Sequence, residues 1–426
     1  MNILILVVLP LLMLAIGLPI FLVLIVSSLL GILFLGGIPL HAVHTAMFGG
    51  LDSFPLLAVP LFILAGDIMA RGGIAARLIE LVMSIVGGVR GSLAISTIGA
   101  ASVFGAMSGS SVACVAAIGK LTLPSLQRAG YKRTFGVSLI TATGVIDVII
   151  PPSIPMIIYA IAAQQSAAVL FLAGIVPGLI VAFALTVYVM IYARIEMIPI
   201  GDPARWANIW ESLKRSVWAV FAPVVILGGI YGGLFTPTEA AGVACVYAIV
   251  ISVFVYRQLN LRDLCQITLD CAVLIGQIMI IVAAAGAYAW FITTSGLAGA
   301  LVNAIVGMQS ETWMLLLVIN VLLLIVGSIL EPPAAILVLM PLLLPIVAQA
   351  GIDPIHFGLV VTVNLAIGMF LPPFGLNLFA SHALFGTPLP DLYKGVLPFL
   401  LIYLAILMLL TYVPAITLAP VAFMRS

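Results

Sequence analysis

The amino-acid sequence predicts an all-α polytopic membrane protein with about 11 transmembrane helices and two re-entrant helical hairpins, arranged as inverted-topology repeats. Three observations predict it: a scarcity of charge, long continuous apolar runs and an internal repeat. Only 7% of the 426 residues are charged, and 64% are hydrophobic. Soluble domains carry about 25% charged residues. These values exclude a cytosolic globular enzyme and a disordered chain, and the net charge of +1 argues against a nucleic-acid partner.

The apolar runs are continuous rather than alternating, so we expect helices that satisfy their own backbone hydrogen bonds in the lipid bilayer. The first run continues to Leu35 and lacks a basic segment or a small-residue cleavage motif, so it predicts a retained first span. Four cysteines lie in or beside apolar runs without metal-ligand spacing. We expect them to be buried, reduced thiols: Cys114, Cys245, Cys265 and Cys271.

Basic residues are unevenly distributed along the chain. The loop that carries Lys120, Arg128, Lys132 and Arg133 is predicted to be cytoplasmic, because positively charged loops remain on that side. The longest polar segment, residues 194–215, predicts a linker with a short interfacial helix. Its tryptophans, and one just after it, are expected at headgroup level: Trp206, Trp210 and Trp218.

An internal repeat relates the two halves of the chain. Pro124–Gly130 resembles Pro345–Gly351 at an offset of 221 residues (345 − 124), and Pro151-Pro152 matches Pro372-Pro373 at the same offset. Upstream, residues 73–78 resemble residues 296–301. A series of matches at nearly constant offset indicates a duplicated module.

The two copies differ in charge at equivalent loops. The first loop carries Arg128, Lys132 and Arg133, whereas the second, residues 345–357, carries Asp353 and no Lys or Arg. The positive-inside rule then predicts that the loops lie on opposite sides of the membrane. Inverted repeats are typical of secondary transporters, although a duplicated membrane scaffold without transport is the simpler alternative.

Each half contains a double proline inside an apolar run, Pro151-Pro152 and Pro372-Pro373. Proline removes a backbone donor and disfavours helical geometry in the preceding residue. We therefore expect two broken helices whose freed carbonyls bind a cation, with an ordinary proline kink as the alternative.

Each half also contains a polar tip between two apolar arms, at residues 105–111 and 327–333. Arms of about 8–14 residues are too short to cross a bilayer and predict re-entrant hairpins. Such tips present amides, hydroxyls and helix ends at membrane depth, although Ser108–Ser111 also suits a tight helix contact.

Ionisable residues within the apolar runs are candidates for function. Asp147 is a candidate ion ligand, a candidate proton carrier, or a carboxylate that accepts hydrogen bonds from nearby amides. Glu331 is expected either to line the cavity or to lie at the boundary with water. Glu239 is expected to cap a helix together with Thr236 or Thr238. Asp52, Asp67 and Asp270 are assigned structural roles. No Lys or Arg lies near either tip in the sequence, so an anion would rest on amides, hydroxyls and helix dipoles.

Five stretches of the sequence resemble the large membrane subunit (DctM-like, M subunit) of TRAP transporters, the tripartite ATP-independent periplasmic systems. The most specific is NLAIGMFLPPFGLNLF. The matching residues are Asp52–Gly66, Gly105–Ala113, Ile150–Pro155, Phe235–Ala241 and Asn364–Phe379.

The resemblance implies a sodium-driven, elevator-type importer of an organic acid in the bacterial cytoplasmic membrane. It implies two or more sodium ions and no organic cofactor. The implied partners are a small four-helix membrane subunit, a periplasmic substrate-binding protein that delivers a carboxylate, and the lipid bilayer.

The resemblance, together with the ionisable residues Asp147 and Glu331 noted above, predicts the site residues. Sodium site 1 would comprise Ser108, Gly109, Ser110, Ser111, Gly144, Asp147, Ile150 and Pro151. Sodium site 2 would comprise Gly327, Gly368, Leu371 and Phe374. The substrate would contact Ser110, Ser153, Glu331, Pro332 and Asn364.

Three positions depart from the family pattern: Asp147 replaces a usual Gly, Glu331-Pro332-Pro333 replaces Asp-Pro-Thr, and Leu371 replaces Thr. Because Asp147 is a candidate proton carrier, a proton-coupled anion transporter is a first alternative. A passive channel is a second alternative, although no carbonyl filter motif is evident. A hydrolytic dyad of Ser108 and His382 would lack an orienting third group, so no enzyme is predicted.

The predicted organisation has five parts. They are N-terminal scaffold helices (1–70), the first repeat with hairpin 1 and a broken helix (71–195), an amphipathic linker (196–216), scaffold helices of the second half (217–293), and the second repeat with hairpin 2 and a broken helix (294–426).

Overall fold

The computed structural model describes residues 9–35, 41–201, 203–296, 299 and 311–425. Within these residues the chain is almost entirely helical, and the one extended pairing is a bridge between Arg90 and Ile200. The part of the upstream repeat match that covers residues 297, 298, 300 and 301 lies outside the described residues.

The helices of the first half are α1 (Leu9–Ala15), α2 (Ile20–Leu35), α3 (His41–Leu51), α4 (Ala58–Arg71), α5 (Ile74–Ile85), α6 (Ser92–Ser108), α7 (Ser111–Arg128), α8 (Arg133–Thr143), α9 (Ile146–Ile149), α10 (Ile154–Ala162) and α11 (Ala167–Ile195). Those of the second half are α12 (Trp206–Tyr231), α13 (Pro237–Val250), α14 (Leu261–Thr294), α15 (Thr312–Ile329), α16 (Pro332–Gln349), α17 (Pro354–Gly368), α18 (Leu376–Phe385), α19 (Leu389–Tyr412) and α20 (Ala415–Arg425).

Eight of the described helical segments are long and apolar enough to cross a membrane, and nine are if the bent pair Arg133–Ile149 and Ile154–Ala162 counts as one span. Shorter apolar helices, among them Ile20–Leu33 and Pro354–Gly368, account for part of the difference from the predicted number. The chain is therefore a multi-pass membrane protein.

Two details differ from the sequence prediction. The first apolar run forms two helices, α1 and α2, because Gly17 adopts a positive φ of 87° and Pro19 precedes α2. The interfacial helix expected in the linker is the first part of the 26-residue α12, on which Trp206, Trp210 and Trp218 are all exposed.

Local sequence sets several helix starts. Thr236 and Glu239 form a capping box at α13, which confirms the structural role predicted for Glu239. Asp353 caps α17 by accepting hydrogen bonds from the amides of Ile355 and His356.

The cysteines are only partly as expected. Cys114, Cys245 and Cys271 are buried free thiols, but the prediction is wrong for Cys265, which is exposed. Cys265 lies one turn after the start of α14, on an exposed side of that helix.

Hairpin 1 consists of α6 and α7, and hairpin 2 consists of α15 and α16. Their arms are 17 or 18 residues long, longer than the arms expected from the sequence. The reversals are short, because Gly109 adopts a positive φ of 63° in the first and Pro332 begins the outgoing arm of the second. The outgoing arms begin 221 residues apart (332 − 111), as the repeat predicts.

Broken helix 1 comprises α8, α9 and α10, and broken helix 2 comprises α17 and α18. Both are interrupted at the double prolines, where residues 150–153 and 369–375 separate the helical segments. Broken helix 1 bends by 41°. The first break is almost wholly buried, whereas Phe374 in the second is 58% exposed.

The two broken helices run antiparallel to each other. At one end, the guanidinium of Arg133 donates to the carbonyl oxygen of Phe385, so the start of the first meets the end of the second. At the other end, the hydroxyl of Tyr159 donates to the carbonyl oxygen of Pro354 at 2.7 Å, so the end of the first meets the start of the second.

This arrangement gives a topology prediction. Arg128 and Gln349 are equivalent in the two repeats, and both are exposed at the ends of their hairpins. In cells that carry the Cys265→Ala background, a cysteine at 349 should react with an impermeant thiol reagent, whereas a cysteine at 128 should react only after permeabilisation. Equal reactivity of both from outside would contradict opposite orientations of the two hairpins.

Candidate functional site

A cavity of about 530 Å³ lies where the two hairpin tips meet the broken helices. Its wall includes Ser108–Ser111 of hairpin 1, Glu331–Pro333 of hairpin 2 and Ile154-Pro155 after the first break. Residues of α4 and α14 also line the cavity. Both predicted tips therefore lie on one cavity.

Hairpin 1 packs directly against broken helix 1. The amide of Gly109 donates a hydrogen bond of 3.1 Å to Oδ1 of Asp147, a fully buried side chain. The other carboxylate oxygen of Asp147, Oδ2, is buried without a hydrogen-bond partner among the described residues. The carboxylate is thus oriented by the tip and retains one free oxygen.

Small residues allow this close approach. A β-carbon at Gly105 would lie 2.8 Å from the α-carbon of Asp147, and one at Gly66 would lie 3.0 Å from the α-carbon of Ser108. The Ser cluster therefore serves a tight helix contact as well as lining the cavity.

The remaining residues predicted for sodium site 1 surround this contact. A β-carbon at Gly144 would lie 3.3 Å from the carbonyl oxygen of Ser111, so those backbones are adjacent. Pro151 is buried in the break, whereas the side chain of Ile150 packs towards Gly178 of α11.

A polar cluster that the sequence analysis missed joins hairpin 1 to the second half. The side-chain amide of Asn377 donates a hydrogen bond of 2.6 Å to the hydroxyl of Ser111. The side-chain oxygen of Asn377, Oδ1, is buried without a hydrogen-bond partner among the described residues. Beside it, the hydroxyls of Thr141 and Ser381 are 2.6 Å apart. The offset of 221 gives no hint of this contact, because it joins non-equivalent positions.

Hairpin 2 packs against broken helix 2 in a similar way. A β-carbon at Gly368 would lie 2.3 Å from the carbonyl carbon of Gly327, so the two predicted site residues are in backbone contact. Leu371 and Phe374 follow in the break, where the amide of Gly375 donates to the carbonyl of Leu371 at 3.0 Å.

The predicted substrate residues fall into two groups. Ser110, Glu331 and Pro332 line the cavity. The hydroxyl of Ser153 instead donates to the carbonyl of Val148 at 2.6 Å.

Asn364 is fully buried, and its amide donates to Oδ1 of Asn320 at 2.8 Å. The side-chain amide of Asn320 in turn donates to the hydroxyl of Thr411 at 3.0 Å. The structure thus brings Asn364 into a polar contact between helices rather than onto the wall of the cavity.

The cavity that the two tips share has a basic residue from another part of the chain. Arg71, the last residue of α4, lines the same cavity. Its guanidinium pairs with Oδ2 of Asp67 at 3.0 Å and with Oδ2 of Asp270 at 2.8 Å. Helix packing brings α4 and α14 together, and no sequence spacing reveals it.

The comparison with known families decides the assignment. Residues 6–416 match the family described as "Tripartite ATP-independent periplasmic transporter, DctM component". The chain belongs to this family. It is therefore a TRAP transporter permease subunit and not an enzyme, as the resemblance implied.

Relatives and a solved structure agree with this assignment. The C4-dicarboxylate TRAP transporter large permease protein DctM of Pseudomonas aeruginosa is 40% identical over 92% of both chains. The isethionate TRAP transporter permease protein DctMQ of Oleidesulfovibrio alaskensis is 39% identical over 95% of this chain and 64% of its own length. The YdaH transporter of Alcanivorax borkumensis shares the fold, with a TM-score of 0.65 at 16% identity over 88% of this chain and 89% of that chain.

Proposed function

We propose that this TRAP subunit imports an organic acid together with sodium ions, by an elevator movement of the hairpins and broken helices against a scaffold. The observation that carries the proposal is the pairing of each hairpin tip with one broken helix. Gly109 contacts Asp147 in the first half, and Gly327 contacts Gly368 in the second.

The chemistry of the residues fits sodium. Hard cations prefer oxygen ligands, and the first tip offers serine hydroxyls, backbone carbonyls and the unpartnered Oδ2 of Asp147. The second tip and the break beside it offer mainly backbone oxygens, because Leu371 in that break has no hydroxyl. We therefore propose Ser108–Ser111 and Asp147 for one site, and Gly327, Gly368, Leu371 and Phe374 for the other.

The elevator movement is supported by the antiparallel order of the broken helices. Inverted modules of this kind place the substrate between them and exchange its access between the two sides. Ser110, Glu331 and Pro332 lie on the shared cavity and are proposed to contact the substrate.

The partners follow from the family. We propose a periplasmic binding protein that delivers the carboxylate and a small membrane subunit. The isethionate relative is longer than this chain, which covers 64% of it, and the additional length has room for a fused small subunit.

The test is uptake by proteoliposomes that contain the complex and its binding protein. Labelled succinate or isethionate should accumulate only with an inward sodium gradient, and omission of the binding protein should reduce uptake at least tenfold. Uptake that persists with potassium in place of sodium would contradict sodium coupling.

A proton-coupled anion transporter is a second candidate, favoured by the buried carboxylate of Asp147 where the other half has Gly368. In that case uptake would follow an inward proton gradient without sodium. A passive channel would give flux without any gradient-driven accumulation.

A further inference from the structure

The ion cluster of Arg71, Asp67 and Asp270 is not part of the proposed sodium sites. The three side chains belong to α4 and α14 and line the same cavity as the hairpin tips. Among the residues that the structure describes around this cavity, Arg71 is the one basic side chain. Among the described residues that line the cavity, no other side chain offers an organic anion a full positive charge.

The cluster lies at the cytoplasmic end of the cavity. The hydroxyl of Thr238 donates to the carbonyl oxygen of Phe54, and the thiol of Cys245 donates to the carbonyl oxygen of Leu61. Both contacts advance along the two segments in the same direction, so α4 and α13 run parallel. Both helices therefore lead to the same side, where α13 is followed by Arg257 and Arg262. The positive-inside rule assigns that side to the cytoplasm.

Arg71 retains donors for a ligand. A guanidinium has five N–H donors in a planar fork, and the two ion pairs engage its two terminal nitrogens once each. The side chain is 45% exposed. The two aspartates hold the fork in a fixed orientation, which lowers the entropy lost when a carboxylate binds.

The aspartates also have other partners when they leave Arg71. Oδ1 of Asp270 accepts a hydrogen bond of 2.9 Å from the side-chain amide of Gln266, and Oδ2 of Asp67 accepts one of 3.6 Å from the thiol of Cys271. Exchange of Asp270 for a ligand carboxylate would therefore leave no buried charge without a partner.

We infer that Arg71 binds the carboxylate or sulfonate group of the substrate on the cytoplasmic side of the cavity, in exchange for Asp270. The inference rests on the proposed import of an organic anion. The excess of one negative charge in the cluster keeps this binding weak, which suits a position from which the substrate is released. Arg71 is thus a specificity-determining residue at the end of α4 rather than on the hairpins.

The experiment measures sodium-driven uptake of labelled succinate and isethionate by the reconstituted complex. Arg71→Gln should raise the KM of the transported anion at least tenfold and leave the sodium concentration for half-maximal uptake within twofold of wild type. Arg71→Lys should raise the KM about threefold, because an ammonium group lacks the bidentate fork. Arg262→Gln, which changes an exposed cation on the same side, should leave the KM unchanged.

Asp270→Asn separates anion binding from a structural role. Both Asp270→Asn and Arg71→Gln remove the ion pair between α4 and α14. If Arg71 binds the anion, Asp270→Asn should leave the KM unchanged or lower it. An equal rise in KM for the two variants, or a wild-type KM in Arg71→Gln, would overturn the inference. Absence of sodium-driven uptake of both anions by the wild-type complex would instead contradict the proposed function itself.

Discussion

Gly368→Ala should reduce sodium-driven uptake at least a hundredfold. The new β-carbon would lie 2.3 Å from the carbonyl carbon and 2.5 Å from the carbonyl oxygen of Gly327, and both atoms belong to the backbone. Hairpin 2 must then move away from broken helix 2, which separates the proposed ligands of the second sodium site. Overpacking of this kind also costs about 1–3 kcal/mol of stability. Uptake and thermal unfolding of the purified variant measure the two effects.

Gly242→Ala is the matched control for this substitution. Gly242 is also helical, but a β-carbon there would meet no atom within 4 Å. Uptake should remain at the wild-type level and stability should not fall, because alanine favours helix more than glycine does. Normal uptake by Gly368→Ala would show that the contact between Gly327 and Gly368 is not needed for transport.

Asp147→Asn should raise the sodium concentration for half-maximal uptake by about tenfold to a hundredfold, which corresponds to about 1.4–2.8 kcal/mol. Asparagine has nearly the same shape and can still accept the hydrogen bond from Gly109, so the variant removes the charge and little else. The measurement is the sodium dependence of uptake at constant ionic strength.

Glu80→Gln provides the control, because it removes an exposed carboxylate on α5, outside the cavity. Its sodium dependence should match that of wild type. If Asp147→Asn keeps the wild-type sodium dependence, the carboxylate is not a sodium ligand. If the variant also loses a dependence on the proton gradient, the proton-coupled alternative gains support.

The architecture could be predicted from the sequence because its signals are local or periodic. The lack of charge predicts lipid-embedded helices, and the double prolines predict the breaks at residues 150–153 and 369–375. The constant offset predicts equivalent hairpins. The lengths of the hairpin arms do not follow from the apolar runs alone. The incoming arms continue through Gly105 and Gly327, and the outgoing arms continue past the apolar residues to Arg128 and Gln349.

The site could be predicted only in part, because its remaining contacts join distant helices. The contact between Gly109 and Asp147 lies within one repeat and agrees with the predicted neighbourhood of hairpin 1 and its broken helix. The pairing of Arg71 with Asp270 and the hydrogen bond from Asn377 to Ser111 connect segments about 200 residues or more apart. No spacing or periodicity in the sequence predicts such pairs, because they depend on how the helices pack.

The hydrogen bond between Asn377 and Ser111, which joins distant parts of the chain, has a consequence for biosynthesis. Hairpin 1 emerges from the ribosome before the helix that supplies its polar partner, which begins at Leu376. At about 5–20 residues per second, more than ten seconds of translation separate the two events. During that time Ser111 lacks the side-chain amide from which it accepts a hydrogen bond in the folded chain, so the first half enters the membrane well before its interior is complete.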